Sequence, residues 1–529
     1  MITPGPDMEF KVFIPAAGTG SRLGSVCQYL NKSLVSVGAR PSICHIIDKF
    51  SPQTRFVIAL GYKGSLLRQF LQLAYADRQF EFVEVSPFEG PGSGLGLTVL
   101  ACREHLQCPF VFCSCDTIVS EAIPAPVENW MGYSDVANAG SYRTINLEGE
   151  SVREIREKRA VGAQPHAYIG LAGIRDYATF WKSMTSGAAN VILEQGESHG
   201  LRSLLNRGSR ARRFNWYDTG SVEGLAATRV AFHPEGAPNI LPKSNEDIWF
   251  VGGNVIKFSA DTRFIADRVK RSRRLQGYCP EIVDDTENMY KYRRVEGDTL
   301  SRIVTIPLFR KLLDHAQKFW VVKSLDTSDA RAFESTCMDF YRTKTYQRVE
   351  QFHTTFDRND SAIVINGILV PSAAELLGRV DWAGLSKGLP GNFHGDFHFE
   401  NILYDQSSDR FTYLDWRQNF GGQMDIGDIY YDFAKLNHGL IVCHELISKN
   451  QFEVVETPDG VRFELLRKQV LVDCEVDFEK FLEREGYDVK RVKILTAIIY
   501  LNIAALHHYP YSLLLYYLGR SLLAQYLVP

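Results

Sequence analysis

The chain lacks most of the features by which a sequence declares its compartment or a polymeric partner. Its ten cysteines, at 27, 44, 102, 108, 113, 115, 279, 337, 443 and 474, include no C-x-x-C pair and no regular spacing. That excludes a cysteine-built metal framework and implies reduced thiols in a cytoplasmic protein. The N-terminal "MITPGPDMEFKVFIPAAG" has no basic segment before an apolar core, so no secretory leader is expected. The longest apolar stretch near the C-terminus, "ILTAIIYLNIAAL" (494–506), falls short of the roughly 20 residues that span a bilayer. It reads as a buried helix, and membrane insertion is not expected. Neither sign of charge dominates: 59 Lys and Arg stand against 62 Asp and Glu, for a net −3. Nucleic acid is therefore not an expected partner, and the basic run "RVKRSRR" (268–274) reads as a solvated helix face. The phosphate loop G-x-x-x-x-G-K-[ST] is missing, as are internal repeats and low-complexity tracts.

What is present is an ordinary globular composition, 45% hydrophobic and 23% charged, over 529 residues. At roughly 100–200 residues per domain this predicts two to four domains. Strand-like "EFKVFIPAA" (9–17), "RFVIALG" (55–61) and "PFVFCSC" (109–115) alternate with helical segments such as "SLLRQFLQLAYA" (65–76). Such alternation predicts a doubly wound α/β domain whose site lies at the carboxyl ends of its strands. Prolines and polar residues in "RVAFHPEGAPNILPKSNED" (229–247) mark a boundary, giving a first domain over 1–232, a linker over 233–245 and a second domain over 246–529. The second domain opens with "IWFV" and "NVIKFS", split by Gly252 and Gly253, then a basic helical stretch and strand-like "MYKYRRVEG", and turns mostly helical after about residue 300.

Two constellations carry chemistry. In "AAGTGSRLG" (16–24), Ala17, Gly18, Thr19 and Gly20 let the backbone pass close to a nucleotide, and Arg22 and Lys32 supply cations for its phosphates. Asp116, after a buried-looking strand, and Asp218, in "WYDTGSVEGL", offer the carboxylate oxygens that Mg2+ prefers. The ordered set "AAGTGSRL", "NKSL", "SCD", "REK" and "WYDTGSVEGL" resembles the sugar-1-phosphate nucleotidyltransferases over roughly residues 9–230. The resemblance implies a Rossmann-like fold of the GT-A type. It assigns the triphosphate to Gly18, Thr19, Gly20 and Arg22, the base to Gly94, the metal to Asp116 and Asp218, and the sugar and its phosphate to Glu157 and Lys158. The sequence departs from the pattern in that Asn31, where the family usually has proline, precedes Lys32.

The second constellation is "HGDFHFENILYD" (394–405). Asp396 is placed to orient or deprotonate a hydroxyl that attacks a γ-phosphate, with Asn401 and Asp415, the latter in "YLDW", as oxygen ligands of Mg2+. Lys257, in "NVIKFS", is the candidate for the nucleotide phosphates, with Asp267 as a possible partner. Together "VIKFS", "YRRVEGDTL", "HGDFHFENIL", "YLDW" and "DIGDIYYDFAKL" resemble the aminoglycoside phosphotransferase and choline kinase superfamily. That implies a bilobal, protein-kinase-like α+β domain, with an N-lobe over about 246–300 and a helical C-lobe over about 301–529. The two resemblances imply a bifunctional enzyme that phosphorylates a small hydroxyl compound with ATP and couples the product to a second nucleoside triphosphate, UTP or CTP. A sugar phosphorylated at its anomeric hydroxyl is the first expectation. Choline kinase joined to a phosphocholine cytidylyltransferase is the alternative, and a catalytically silent domain that acts as a binding module is a third reading.

Overall fold

The computed structural model describes residues 9–158, 165–232 and 245–527. Contacts divide the chain into two compact units, the first comprising Met1–Asp261 and Asp284–Lys291 and the second Thr262–Val283 and Tyr292–Pro529.

The first unit is built on a nine-stranded sheet. Its strands in chain order are β1 (Lys11–Ala16), β2 (Arg55–Leu60), β3 (Gln79–Glu84), β4 (Phe110–Cys113), β5 (Trp130–Asp135), β6 (Thr144–Glu148), β7 (Ser151–Arg156), β8 (His166–Ile174) and β9 (Arg210–Arg213). They lie in the order β3-β2-β1-β4-β8-β5-β9-β7-β6. The first four are parallel, with Lys11 opposite both Arg55 and Phe110. β8 then runs antiparallel to β4. The sheet is thus mixed, with its first four strands parallel as in a doubly wound α/β domain.

Alternation along β1 explains why both faces of this sheet are covered. Val12, Ile14 and Ala16 point into one apolar cluster with Leu67 and Phe70 of helix α1 (Gly64–Ala74). Phe13 points into another with Val99 of α2 (Leu95–Ala101), Phe180 of α3 (Tyr177–Ser186) and Leu201 of α4 (Glu197–Arg202). A strand buried on both sides reads as the continuous apolar run seen in "KVFIPA".

The division between units falls at Asp261, later than the proline-rich stretch, whose residues 233–244 lie outside the described residues. The hairpin Glu246–Val251 and Asn254–Ser259, expected in a kinase N-lobe, groups with the first unit instead. Its turn residues Gly252 and Gly253 have φ of 56° and 75°, the left-handed pair that a tight hairpin requires. Trp249 is one of the residues that tie it there. Fully buried, it meets Phe70 edge-on at 5.1 Å and donates its indole N–H to Ser36 Oγ at 2.9 Å.

The second unit is largely helical. Its main core forms where α8 (Val489–Ala504) and α9 (Tyr511–Tyr526) pack through Leu495, Ile498 and Leu501 against Leu514, Leu515 and Leu518. α8 contains most of the apolar stretch expected to be a buried helix. Among the described residues no helix is long and apolar enough to cross a membrane. Against the core lie α6 (Lys344–Phe356) and α7 (Ile429–Ile441), and α5 (Thr262–Ser272) reaches it through Arg271, whose guanidinium stands 3.7 Å from the centre of the Phe393 ring. A hairpin of Ile402–Asp405 and Arg410–Tyr413 follows the "HGDFHFEN" loop.

The expectation of a wholly solvated face for 268–274 is corrected. Arg268 and Arg271 of α5 are buried, and Arg271 donates to the carbonyls of Phe393, His394 and Arg417, which it ties together.

If Trp249 anchors the hairpin, Trp249→Ala is expected to destabilise the first unit by about 3–5 kcal/mol. Calorimetry of the full chain should show this as a lowered midpoint for one transition, with the second unit's transition unmoved.

Candidate active site

The carboxyl ends of β1 and β4 open into a cavity of about 370 Å³. Ala17, Gly18, Thr19 and Arg22 line it from the loop after β1, and Lys32 from the following turn. Asp116, Gly94, Lys158 and Asp218 line it from four further segments.

Two features shape the loop. Gly20 has φ of 71°, and a Cβ there would meet Cys27 Sγ at 2.9 Å and Lys32 Cβ at 3.2 Å, so only glycine fits. Asn31, fully buried, donates to the carbonyls of Ala16 at 3.0 Å and Tyr62 at 2.7 Å and accepts from the Ser33 amide at 2.9 Å. Three hydrogen bonds therefore fix the backbone from which Lys32 projects, and the asparagine does by bonding what a proline does by covalent restriction.

Lys32 Nζ lies 3.2 Å from Asp116 Oδ2, and Ser114 Oγ donates to Asp116 Oδ1 at 2.6 Å. Burial alone would raise the Asp116 carboxyl. Lys32 foremost, with the Ser114 hydroxyl and Arg22, outweighs it and holds the group at about 2. Burial likewise works against the Lys32 ammonium, and Asp116 keeps it above its ordinary value. Asp218 accepts from the Gly220 amide at 2.8 Å and from Tyr142 OH at 3.2 Å. A Cβ on Gly220 would stand 2.8 Å from Asp116 Oδ2, 3.2 Å from Asp218 Oδ1 and 3.1 Å from Arg22 Nη2, so both carboxylates and the guanidinium converge over this glycine. That donor set suits Mg2+, which takes one or two protein carboxylates and leaves its other positions to water and phosphate. When bound, the cation would neutralise triphosphate charge.

Glu157 lies outside the cavity lining, where Arg143 Nε donates to it at 2.9 Å and Arg202 pairs with its other oxygen. Glu197, at the start of α4, does line the cavity. It is 3% exposed, and its Oε2 has no hydrogen-bond partner, nor has the Tyr168 hydroxyl beside it. Burial, opposed by Arg143, raises the Glu197 carboxyl above its ordinary range. Sequence reading missed Glu197, Tyr168 and Tyr142 because each stands alone in its segment and only the fold gathers them.

Residues 12–137 match the family model of the MobA-like NTP transferase domain. The chain thus carries an NTP transferase domain and is an enzyme. Among solved structures, one described as a glucose-1-phosphate thymidylyltransferase from Bacillus anthracis, in complex with a sucrose, is similar at 17% identity and a TM-score of 0.38, over 44% of this chain and 98% of that one. A UDP-glucose pyrophosphorylase complexed with UDP-glucose is similar at 19% identity and a TM-score of 0.36, over 42% and 98%. A CTP:phosphocholine cytidylyltransferase from Streptococcus pneumoniae is similar at 13% identity and a TM-score of 0.34, over 42% and 99%. No curated protein matches the chain.

In the second unit, Asp396, Asn401 and Asp415 share one locality. Asn401 Nδ2 donates to Asp396 Oδ2 at 3.1 Å and to its carbonyl at 3.0 Å. Asp415 has φ of 59°, a conformation few non-glycine residues hold, and pairs with Arg268. The loop bearing Asp396 is clamped by Asp432 of α7, which accepts from the amides of His394 at 2.6 Å and Gly395 at 2.7 Å. Lys435, one turn further along α7, places Nζ 2.7 Å from Asp396 Oδ1. Against the pull of burial, Lys435 and His398 hold Asp396 ionised, well below the usual carboxylate range. Lys257 is buried on the hairpin strand of the first unit. Asp267 accepts from Asn419 Nδ2 at 3.3 Å.

Because Asp116 titrates below its ordinary 3.8, its contribution to stability is present above about pH 4 and is lost as pH falls toward 2. Asp116→Asn is expected to remove about 1 kcal/mol of the stability lost between pH 5 and pH 3, as measured by urea unfolding of the first unit.

Proposed function

We propose that the chain is a bifunctional enzyme: its first unit transfers a nucleotidyl group from a nucleoside triphosphate to a phosphorylated small molecule, and its second unit makes that phosphate ester with ATP. The observation that carries the first half is the convergence of Arg22, Lys32, Asp116 and Asp218 on one cavity, the first three of them within the residues 12–137 that match the NTP transferase domain. A phosphate oxygen of the acceptor attacks the α-phosphorus and pyrophosphate leaves. The nucleophile is already ionised, so no general base is required. Arg22 and Lys32 neutralise charge on the triphosphate, the glycine loop positions it, and Lys158 faces the incoming phosphate.

A sugar phosphate suits this cavity better than phosphocholine. Glu197 Oε2 and the Tyr168 hydroxyl are buried there without partners, and sugar hydroxyls supply what both lack. A quaternary ammonium has no hydrogen to donate to either.

The second half rests on Asp396, Asn401 and Asp415 and on the resemblance of their motifs to small-molecule kinases. Since Asp396 is held ionised by Lys435, its role is to orient the acceptor hydroxyl and to take its proton late, as the phosphoryl group transfers. Asn401 and Asp415 provide oxygens suited to the Mg2+ that accompanies ATP.

Purified protein given ATP, each other nucleoside triphosphate, and panels of sugars and amino alcohols should form a nucleotide sugar detectable by mass spectrometry. Formation of CDP-choline alone would sink the sugar reading. Asp396→Ala is expected to lower hydroxyl phosphorylation about 10²–10⁴-fold and to leave nucleotidyl transfer from supplied phosphosugar intact. Asp116→Asn is expected to do the reverse, and loss of both activities in either folded variant would refute separate sites.

A further inference from the structure

Asp396 lies near two further carboxylates that are already engaged, Asp432 by the His394 and Gly395 amides and Asp415 by Arg268, in a neighbourhood otherwise rich in cations. Lys435 pairs with it at 2.7 Å. Arg417 follows two residues after Asp415 and packs against the preceding loop, where a Cβ at Gly395 would meet Arg417 Cβ at 2.5 Å. The glycine of "HGD" therefore makes room for this arginine, and its φ of 89° turns the chain there. Lys344 approaches from a third element. It opens α6 directly after a stretch of π-helix, Asp339–Thr343, a local widening that re-aims side chains and recurs at functional sites. Lys344 Nζ and the Arg417 guanidinium lie over the same Phe340 ring, 4.3 and 5.0 Å from its centre.

Asp396 is already engaged by Lys435, and no ion pair joins a carboxylate to Lys344 or Arg417 among the described residues. Gathering like charges around one ring is unfavourable unless an anion joins them. The electrostatics agree with the geometry. Burial first, then Arg417 and Lys435, pushes the Lys344 ammonium down to about 7. Burial and then Lys435 also drive His438, on the far side of Lys435 along α7, well below its ordinary value.

We propose that Lys344, Arg417 and Lys435 form an anion subsite beside Asp396 that receives a carboxylate or phosphate carried by the hydroxyl acceptor, so that the second unit phosphorylates an acidic substrate such as a sugar acid. This deepens the kinase reading and rests on it for the word acceptor. The subsite itself stands on the placement of the three cations. A cationic amino alcohol is disfavoured by the same field that draws an anion.

The matched pairs glucuronate and glucose, galacturonate and galactose, and mannuronate and mannose differ in a carboxylate and test the proposal directly. With ATP and Mg2+, the full chain is expected to use at least one acid with kcat/KM 10-fold or more above its neutral twin and above choline. Lys344→Gln, which removes a charge from a crowded cluster and should fold, is expected to raise KM for the acid at least 10-fold while leaving KM for ATP within twofold. Equal or better use of the neutral twins or of choline overturns the proposal. So does a Lys344→Gln effect confined to the KM of ATP, since the cations would then serve the nucleotide's own phosphates.

A second readout does not need turnover. In the ¹³C-methylated protein, the Lys344 NMR signal, assigned by its loss in Lys344→Gln, should shift with the sugar acids or inorganic phosphate and not with the neutral sugars. No shift with any anion overturns the subsite. A shift without phosphorylation of any acceptor keeps the subsite and removes the kinase reading.

Discussion

An ammonium held against a carboxylate organises both candidate sites, Lys32 with Asp116 in the first unit, where both are partly buried, and buried Lys435 with partly buried Asp396 in the second. Withdrawing either charge from water is costly without its partner. Each pair is held in place by its own scaffolding. Asn31 supplies it in the first unit by pinning the turn that carries Lys32 to the end of β1. Asp432 supplies it in the second by clamping the amides of His394 and Gly395 one turn before Lys435 on the same helix.

The pairing also sets the chemistry. A carboxylate pinned below its ordinary range stays ionised throughout the physiological interval, so Asp116 remains available to a hard cation and Asp396 remains an acceptor of hydrogen bonds. Glycines then decide what can approach. Gly220 leaves open the point where Asp116, Asp218 and Arg22 converge, and Gly395 leaves room for Arg417. In both places a methyl group would occupy space that charged side chains and their ligands need.

Glu157 and Glu197 show how a motif and a site can part company. The "REK" segment resembles the sugar-contacting pair of known nucleotidyltransferases, yet Glu157 is drawn aside by Arg143 and Arg202, while Glu197 presents an unpartnered oxygen to the cavity. Arginines on neighbouring segments compete for a carboxylate, and that competition is invisible in a local motif.

The sequence by itself determined whatever depends on near neighbours in the chain. It specified strands and helices through the period of their apolar residues, tight turns through paired glycines, and the loop whose Gly20 no other residue can replace. It also placed Arg22, Lys32, Asp116 and Asp218 in a recognisable order, with Arg22 and Asp116 following the ends of β1 and β4, whereas Lys32 stands on a turn and Asp218 ends a short strand outside the nine-stranded sheet. Tertiary structure alone decided the rest. It assigned the Trp249 hairpin to the first unit, buried Arg268 and Arg271 in a stretch that reads as solvated, made the sheet half antiparallel, and brought Lys344, Arg417 and Lys435 around Asp396. The physical reason is common to all four: burial and electrostatics depend on distance in space, and residues 91 positions apart, such as Lys344 and Lys435, influence one another only once the chain has folded.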